Sequence, residues 1–439
     1  MVYVLNKEGI TIMPTARHGR VRRLLERGQA KVVRRTPFTI QLTYDTKGIT
    51  QPITLGIDAG SKTVGVSTTT GTKELYAAEC KLRADVTKNL SARREFRRAR
   101  RNRKTRYRAP RFNNRIRAKH KGWLAPSIEQ KINTHIQLIK TVCNLLPITK
   151  IIIETAEFDT QRLKAMLEGR PLPVSADYQL GEQYDEYNTR QYIFHRDGYR
   201  CRVCGSKHGD TQNGVKVKFH VHHLESRKTG GNAPDNLITL CRRCHTKYHE
   251  GKLLLPETLG KPYSMRDAAF MGIMRKTLMG RVRGLFPSIE VMETHGYITK
   301  CRRETAKLQK SHAVDARCIT GSPMAKPLDC IYQQKAVRRH NRQLHKATIL
   351  KGGIRKANQT PKYVHGFQLF DKVRMPDGRE GFVFGRRSSG SFDIRTLDEQ
   401  KLSAGISCKK LKRLESRNTI LTERRGDSSP YLKVGVSVA

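Results

Sequence analysis

Two cysteine pairs are the first residues of this chain whose types and spacing suggest chemistry. Cys201 and Cys204 form one Cys-x-x-Cys pair, and Cys241 and Cys244 form another. Four thiolates presented in this way suit the tetrahedral coordination of a structural zinc ion. The gap between the two pairs is longer than the loop of an ordinary zinc ribbon. The spacing therefore predicts a zinc site whose intervening segment carries a function of its own.

Histidines and an asparagine occupy this gap and the residues just after it. They are His220, His222 and His223 on a predicted strand, then Asn236, and finally His245 and His249 one turn apart on a predicted helix. A neutral histidine is a competent general base near neutral pH, and a bound divalent cation takes up charge at a scissile phosphate. These residue types have the chemistry that phosphodiester hydrolysis needs, and a zinc ribbon with incidental histidines is the alternative. We expect His220 and His249 at a strand end or on a helix surface.

The arrangement closely resembles the HNH nuclease motif, in which an asparagine follows a His-His pair and a further histidine stands beside the last cysteine. This resemblance implies that His223 is the general base and that His222 and His245 bind the catalytic metal ion. It also implies that Asn236 orients the base through a side-chain hydrogen bond. Many relatives have aspartate where His222 stands, so either His222 or His223 could be the base.

Three acidic residues in an acid-poor chain suggest a second site. Asp58, Glu154 and Asp315 stand at the end of, or beside, the apolar elements in LGIDAGSKTVGVS, IIIETAEF and KSHAVDARCIT. Carboxylates that meet at one edge of a sheet would supply the oxygen ligands with which two Mg²⁺ ions bind a scissile phosphate. His312, one turn before Asp315 on the same predicted helix, would face this site and activate the attacking water.

The charge of the chain limits what it can bind. Its 439 residues include 86 Lys plus Arg and 38 Asp plus Glu, which gives a formal net charge of +48. A polyanion would offset this self-repulsion, and nucleic acid also releases condensed counterions on binding. The sequence has no apolar run of about 18 residues, no signal peptide and no lipidation motif, so we expect no membrane partner. The unpaired pattern of the other cysteines favours an intracellular zinc protein over a secreted disulfide scaffold.

A strongly basic helix is predicted after residue 85. Residues 88–121 include a single acid, Glu95, and no apolar stripe that could pack against a core. We interpret this segment as a rod that lies between phosphate backbones, although a disordered basic segment would have the same composition. Its candidate nucleic-acid-binding residues are Arg93, Arg94, Arg97, Arg98, Arg100, Arg101 and Arg103.

Apolar periodicity and turn residues predict the elements that position these sites. Residues 1–50 are typical of a small α+β unit, and three closely spaced strands after Gln51 predict the antiparallel start of a mixed sheet. A helix and a buried strand lead to Glu154, and linkers containing proline and glycine flank the cysteine region. After Phe367, short strands alternate with turns, which predicts a small β-barrel.

The order of these parts resembles one protein family. The three acidic fragments resemble the split segments of RuvC-type nucleases, which have an RNase H-like fold. Two related groups share one domain order, in which an arginine-rich bridge helix and then an HNH domain interrupt that fold. They are the type II CRISPR effector nucleases and the compact, transposon-encoded IscB proteins. The chain is similar to IscB over essentially its whole length. It differs from the CRISPR effector nucleases in lacking their large recognition lobe. The short first domain of IscB is named for Pro-Leu-Met-Pro, which here reads Thr11-Ile12-Met13-Pro14.

The resemblance implies a multidomain α/β fold. A RuvC mixed sheet with helices would be split by the bridge helix and by an inserted ββα-metal HNH domain with a four-cysteine zinc site, and a small C-terminal β-barrel-like domain would follow. The predicted parts are the N-terminal domain 1–50, RuvC segments 51–84, 122–160 and 265–330, the bridge helix 85–121, linkers 161–187 and 253–264, the HNH domain 188–252, and the C-terminal domain 331–439, which would contact RNA and read a target-adjacent motif.

The resemblance also implies an RNA-guided double-stranded DNA endonuclease. One protein would bind one omega RNA and a DNA target with an adjacent motif, and the HNH and RuvC sites would cut the guide-paired and displaced strands respectively. The implied cofactors are two Mg²⁺ ions at the RuvC site, one Mg²⁺ ion at the HNH site and one structural Zn²⁺ ion. Two alternatives stay open: an unguided HNH endonuclease or junction resolvase, and an RNA-binding scaffold with inactive nuclease domains.

Overall fold

A computed structural model of the chain describes residues 1–101, 122–155, 186, 188–212, 214–225, 232, 234–255, 266–339 and 361–426, with isolated positions between 165 and 174. The chain divides into two compact units. The first unit combines Met1–Glu157 with Phe270–Ala439, and the second unit is Phe158–Ala269. In the described ranges, every helix is too short or too polar to cross a membrane.

The helices and strands are numbered in chain order. The strands are β1 (Val2–Leu5), β2 (Thr11–Thr15), β3 (Ala30–Arg34), β4 (Thr39–Leu42), β5 (Thr54–Ala59), β6 (Thr63–Thr69), β7 (Glu74–Lys81), β8 (Lys150–Glu154), β9 (Thr211–Gln212), β10 (Val215–Lys216), β11 (Phe219–His223), β12 (Leu237–Cys241), β13 (Glu290–Thr294), β14 (Cys330–Ala336), β15 (Lys372–Arg374), β16 (Glu380–Arg386), β17 (Ser391–Arg395), β18 (Lys401–Ser407), β19 (Lys412–Glu415) and β20 (Ile420–Gly426). The helices are α1 (His18–Glu26), α2 (Val86–Arg101), α3 (Pro126–Cys143), α4 (Thr189–Arg196), α5 (Arg242–His249), α6 (Arg266–Leu285), α7 (Gly296–Thr305) and α8 (His312–Ile319).

The first unit begins with the small α+β layer that the sequence predicts. Its four strands lie in the order β2-β1-β4-β3, and β1 runs parallel to β4. Helix α1 contributes Val21 to a small core that it shares with Val4 and Ile40 of the sheet. This layer therefore has a hydrophobic core of its own.

A seven-stranded mixed sheet forms the centre of the first unit. Its strands lie in the order β13-β8-β5-β6-β7-β14-β20. β5, β6 and β7 are antiparallel, as their close succession in the sequence predicts, whereas β8 and β13 run parallel to β5. Parallel pairing brings the carboxyl ends of β5, β8 and β13 to one edge of the sheet.

The two faces of β5 have different neighbours. Leu55 and Ile57 are fully buried and belong to the main hydrophobic core, to which α3 and α6 also contribute. Because side chains alternate along a strand, Gly56 and Asp58 point to the opposite face, where α8 lies. Asp58 is therefore held at the end of a rigid strand but outside the apolar core.

Helix α8 lies close to β5 and β6 because two glycines face it. A Cβ atom at Gly56 would overlap the backbone oxygen of Ala316, and a Cβ atom at Gly65 would overlap that of His312. Gly65 is also the register partner of Asp58 on the neighbouring strand. The absence of these two Cβ atoms lets α8 bring His312 within reach of Asp58.

We expect Gly65→Ala to push α8 away from the sheet. The added methyl group meets backbone rather than a flexible side chain, and overpacking of this kind costs ~1–3 kcal/mol of unfolding free energy. Gly280→Ala on α6 is the matched control, because nothing lies within 4 Å of its added Cβ. In a helix this control change should be neutral or stabilising by up to about 1 kcal/mol. Equal denaturation midpoints for the two variants would contradict the close packing of α8.

Five of the six described strands after Phe367, β15 to β19, form an antiparallel sheet. Their order is β18-β17-β16-β15-β19, so within the described residues the sheet is open rather than closed into a barrel. Val373, Val383 and Phe392 are among the fully buried residues of its core.

The predicted boundary at residue 331 needs correction. It cuts through β14, which pairs in parallel with β7 and antiparallel with β20. Both β14 and β20 therefore belong to the central sheet. The sequence of β14 looks polar, yet alternate residues such as Tyr332 and Gln334 are buried. A buried glutamine obscures the apolar alternation from which a central strand is normally predicted.

The second unit is built around two paired strands and the helix that follows them. β11 pairs antiparallel with β12, and α5 begins directly after β12. Phe194 of α4 packs on Phe219 of β11 in a small core that includes Cys201, Cys241 and Cys244. β11, β12 and α5 around this core form a ββα arrangement, in which side chains of β11 and of α5 lie close together.

Candidate functional site

The four paired cysteines meet in the second unit, and we call them the cysteine cluster. Their sulfur atoms all lie within 4.8 Å of one another, and those of Cys204 and Cys241 are 3.7 Å apart. A tetrahedral zinc ion with Zn–S distances of ~2.3 Å places its sulfurs about 3.8 Å apart. The Cys244 amide also donates a hydrogen bond to Cys241 Sγ at 3.4 Å. The cysteine cluster can therefore bind a structural zinc ion.

Three histidines, His222 of β11 with His245 and His249 of α5, form a second close set, the histidine group. Their ring nitrogens lie within 4.8 Å of one another, and the Nε2 atoms of His245 and His249 are 3.3 Å apart. His222 Nε2 is buried and has no hydrogen-bond partner among the described residues. Because buried nitrogens are nearly always paired, this atom needs a ligand, and a divalent cation at the histidine group would supply one.

The electrostatics of the histidine group favour neutral rings. Burial lowers the pKa of His222 to about 4, and the neighbouring His245 and His249 add to the shift. Burial likewise lowers the pKa of His245, with His249 and His220 contributing. An imidazole must be neutral to bind a metal ion, so this environment suits metal coordination.

His249 is exposed on α5, as the sequence led us to expect, but its place in this group was not predicted. Residues four apart on a helix lie on the same face, and this spacing after His245 is the signal that could have identified it. His220 also lies nearer than expected, since its ring stacks on that of His245 with centroids 5.2 Å apart.

His223 and Asn236 lie next to the histidine group and have other partners. Because side chains alternate along β11, His223 points away from His222, and its Nε2 atom is 3.0 Å from Asn232 Oδ1. The Asn236 side chain accepts a hydrogen bond from the Glu225 amide at 2.8 Å and donates one to the Glu225 carbonyl at 3.0 Å. Asn236 therefore fixes the backbone two residues beyond His223, and its direct hydrogen bond to that base stays a prediction.

The predicted acidic residues lie at one edge of the central sheet, and we call Asp58, Glu154 and Asp315 the acidic group. Asp58 and Glu154 are register partners on the parallel strands β5 and β8. Asp315 comes from α8, whose first turn is capped when Ser311 Oγ accepts a hydrogen bond from the Val314 amide. His312 Nδ1, one turn earlier on α8, is 2.6 Å from Asp58 Oδ2.

Helix α7 supplies two further residues to this edge that the sequence did not reveal. Thr299 Oγ1 donates a hydrogen bond to Glu154 Oε2 at 2.5 Å, and Arg303 Nη1 donates one to Asp315 Oδ1 at 2.5 Å. A threonine and an arginine in a basic chain carry no distinctive spacing. Only the packing of α7 beside β8 and α8 identifies them.

Burial disfavours the charged forms of Asp58 and Glu154 in the acidic group. Burial raises the pKa of Asp58, which His312 opposes and Asp315 reinforces, and burial also raises the pKa of Glu154. The hydrogen bond with Asp58 raises the pKa of His312. Divalent cations would relieve this unfavourable burial of carboxylates.

The predicted basic helix is present as α2, whose last described residue is Arg101. Of the predicted arginines, Arg93, Arg94 and Arg97 are exposed. The side chains of Arg98, Arg100 and Arg101, and the whole of Arg103, lie outside the described residues. The three exposed guanidinium groups are available to phosphates.

We expect His249→Ala to weaken divalent-metal binding at the histidine group by about 100-fold or more, because it removes a ligand rather than a supporting contact. Three imidazoles suit a transition-metal ion better than Mg²⁺, so Mn²⁺ titration of zinc-loaded protein by calorimetry is the measurement. His195→Ala in the same unit is the control, because that ring is mostly exposed and pairs with Glu186. Equal Mn²⁺ affinities for the two variants would contradict the three-histidine site.

Two family models match successive parts of the chain. The model described as RRXRR protein matches residues 2–171, and the HNH endonuclease model matches residues 201–251. A curated relative, anaredoxin of Nostoc sp. strain PCC 7120, is 35% identical over 71 residues, which are 16% of this chain and 83% of that protein.

The solved structures to which the chain shows some similarity include two of Streptococcus thermophilus Cas9. The complex with the GGAA PAM is 16% identical with a TM-score of 0.33, covering 54% of this chain and 31% of that one. The complex with the AGAA PAM is 12% identical with a TM-score of 0.32, covering 62% and 32%.

The type II-C Cas9 of Actinomyces naeslundii is 12% identical with a TM-score of 0.24, covering 62% of this chain and 59% of that enzyme. The chain thus spans between about a third and three fifths of these proteins. At these TM-scores the family assignment rests on the sequence models. With an RRXRR region followed by an HNH endonuclease domain, this chain is an IscB-like nuclease.

Proposed function

We propose that this nuclease is an RNA-guided endonuclease that cuts both strands of DNA at two separate sites. The histidine group and His223 would form an HNH site that hydrolyses the guide-paired strand. The acidic group and His312 would form a RuvC-type site that hydrolyses the displaced strand. The observation that carries the proposal is that one strongly basic chain holds a three-histidine set beside His223 and, at one edge of the central sheet, three acidic residues with His312 on Asp58.

At the HNH site, a divalent cation held by His222, His245 and His249 would act as a Lewis acid toward the phosphate. His223 would take a proton from the attacking water. When Asn232 Oδ1 accepts a hydrogen bond from His223 Nε2, the neutral ring keeps an unprotonated Nδ1 atom that can receive this proton. The backbone bonds of Asn236 would hold the end of β11 in place during this transfer.

At the RuvC-type site, Asp58, Glu154 and Asp315 would hold two Mg²⁺ ions, which would stabilise charge on the phosphate. His312 donates through Nδ1 to Asp58 Oδ2, and its Nε2 atom can then accept the proton of the attacking water. Asp58 orients the ring and stabilises its protonated form. Thr299 and Arg303 would fix the Glu154 and Asp315 carboxylates.

The proposed partners follow from charge and from the sequence resemblance. The exposed arginines of α2 would contact the phosphates of one omega RNA and of the DNA paired to it. The C-terminal sheet would contact RNA and read the target-adjacent motif. The cysteine cluster would carry a structural zinc ion that stabilises the HNH domain in a prokaryotic cytoplasm.

Purification of the chain with candidate non-coding RNA, followed by sequencing of the bound nucleic acid, tests guidance. We expect one structured RNA whose variable segment matches a DNA that the complex cuts beside a fixed motif. A heterogeneous RNA mixture, with Mg²⁺-dependent cutting that survives ribonuclease, would contradict guidance and favour the unguided endonuclease. Target binding without any nicking would favour the inactive scaffold.

A further inference from the structure

A pair of parallel aromatic rings, one half-buried and one exposed, stands at the start of α7. His295 and Tyr297 flank Gly296 at the start of α7, and their rings are nearly parallel, with an interplanar angle of 9° and centroids 6.1 Å apart. The side chain of Tyr297 is 68% exposed, and it belongs to none of the hydrophobic cores of the described residues. The pair therefore does not serve to bury apolar surface.

The backbone places this pair at the acidic group. Thr294, the residue before His295, is the register partner of Glu154 on neighbouring parallel strands. A Cβ atom at Gly296 would lie 3.1 Å from Glu154 Oε1, so the start of α7 passes against the carboxylate. Thr299, farther along α7, hydrogen-bonds the other carboxylate oxygen. His295 and Tyr297 are thus the chain neighbours of a backbone position that lies against the Glu154 carboxylate.

The chemistry of the pair suits a nucleobase. A phosphate bound at the acidic group lies within one nucleotide's length of flanking bases, and aromatic faces bind unpaired bases without regard to sequence. Bases inside a duplex have both faces covered by their neighbours, whereas bases of a displaced single strand are free to stack. Lys300, exposed on the same helix turn as Tyr297, adds positive charge near the strand.

We propose that the His295–Tyr297 pair is a stacking platform for one unpaired nucleobase of the strand that is cut at the acidic group. This inference rests on the proposed RuvC-type activity and adds a substrate preference to it. The platform would favour single-stranded over paired DNA and would set which phosphate reaches the metal ligands. It would act on any base, because every base presents an aromatic face.

Abasic scanning of the displaced strand tests the platform. The full-length, RNA-loaded protein would carry His223→Ala so that only the acidic group cuts, and single abasic nucleotides would be placed at successive positions around the cut. With Tyr297 intact, we expect one abasic position to slow cutting by about tenfold. Tyr297→Ala should slow cutting of the intact strand by a similar factor and lose its sensitivity to that position. Tyr297→Phe, which keeps the ring, should behave like the parent.

Two results would overturn the platform while leaving the nuclease assignment intact. One is an unchanged abasic profile in Tyr297→Ala. The other is a Tyr297→Phe variant as slow as Tyr297→Ala, which would assign the effect to the hydroxyl group. Absence of Asp58-dependent cutting of the displaced strand in the Tyr297-intact protein would overturn both the platform and the proposed RuvC-type activity. Equal melting temperatures among the variants are expected, since Tyr297 is exposed.

Discussion

Asp58→Ala should leave the displaced strand of a guided DNA target uncut while the guide-paired strand is still cleaved. The change removes a proposed metal ligand and the hydrogen-bond partner of His312 at once. Loss of several kcal/mol of transition-state stabilisation corresponds to a rate decrease of about 1000-fold or more. Separate fluorescent labels on the two strands would show the products of each site in one reaction.

Asp45→Ala is the matched control for this prediction. Its carboxylate is largely exposed and lies 3.4 Å from Lys7, a surface pair of little energetic value. We expect wild-type cutting of both strands by this control. Equal slowing of both strands by Asp58→Ala would indicate instead that a single site cuts them in sequence.

Removal of zinc should abolish the HNH site and spare the acidic group. The cysteine cluster contributes three buried cysteines to the small core of the second unit, and structural zinc binding in small domains is worth about 10–16 kcal/mol of folding free energy. Cys241→Ser should therefore unfold the ββα arrangement, because β12 ends at this residue and α5 begins after it. Nicking of the displaced strand should persist.

Proteolysis and metal analysis would measure this effect. Cys241→Ser protein should contain less than one equivalent of zinc and should be cleaved rapidly between β11 and α5. Cys301→Ser, an exposed cysteine of the first unit, is the matched control and should keep zinc and both activities. Retention of guide-paired strand cutting after complete loss of zinc would contradict the structural role of the cluster.

Sequence spacing was sufficient to predict that the four paired cysteines meet and that Asp58 and Glu154 lie at one sheet edge, for a simple physical reason. Metal ligation demands particular residue types at close positions, and Cys-x-x-Cys pairs carry that requirement in the chain itself. The acidic group was predictable because each acid follows or lies within an apolar element, and parallel strands end at one edge. The central sheet followed from the same apolar runs.

Other features depend on packing that spacing does not encode. Arg303 meets Asp315 only because α7 packs beside α8, and β14 was hidden because a buried Gln334 replaces an apolar residue. The position of His249 was only partly predictable from the sequence. Its spacing from His245 was visible, but a helix of eight residues offers several exposed positions, and only the position of β11 shows that His222 faces it.

The most direct test of two independent sites is the double variant His223→Ala with Asp58→Ala, assayed on strand-labelled target DNA with RNA-loaded protein and Mg²⁺ plus Mn²⁺. Each single variant should cut one strand, and the double variant should cut neither while it binds RNA and target with unchanged affinity. Residual cutting of either strand by the double variant would contradict the assignment of the histidine and acidic groups as the nuclease sites.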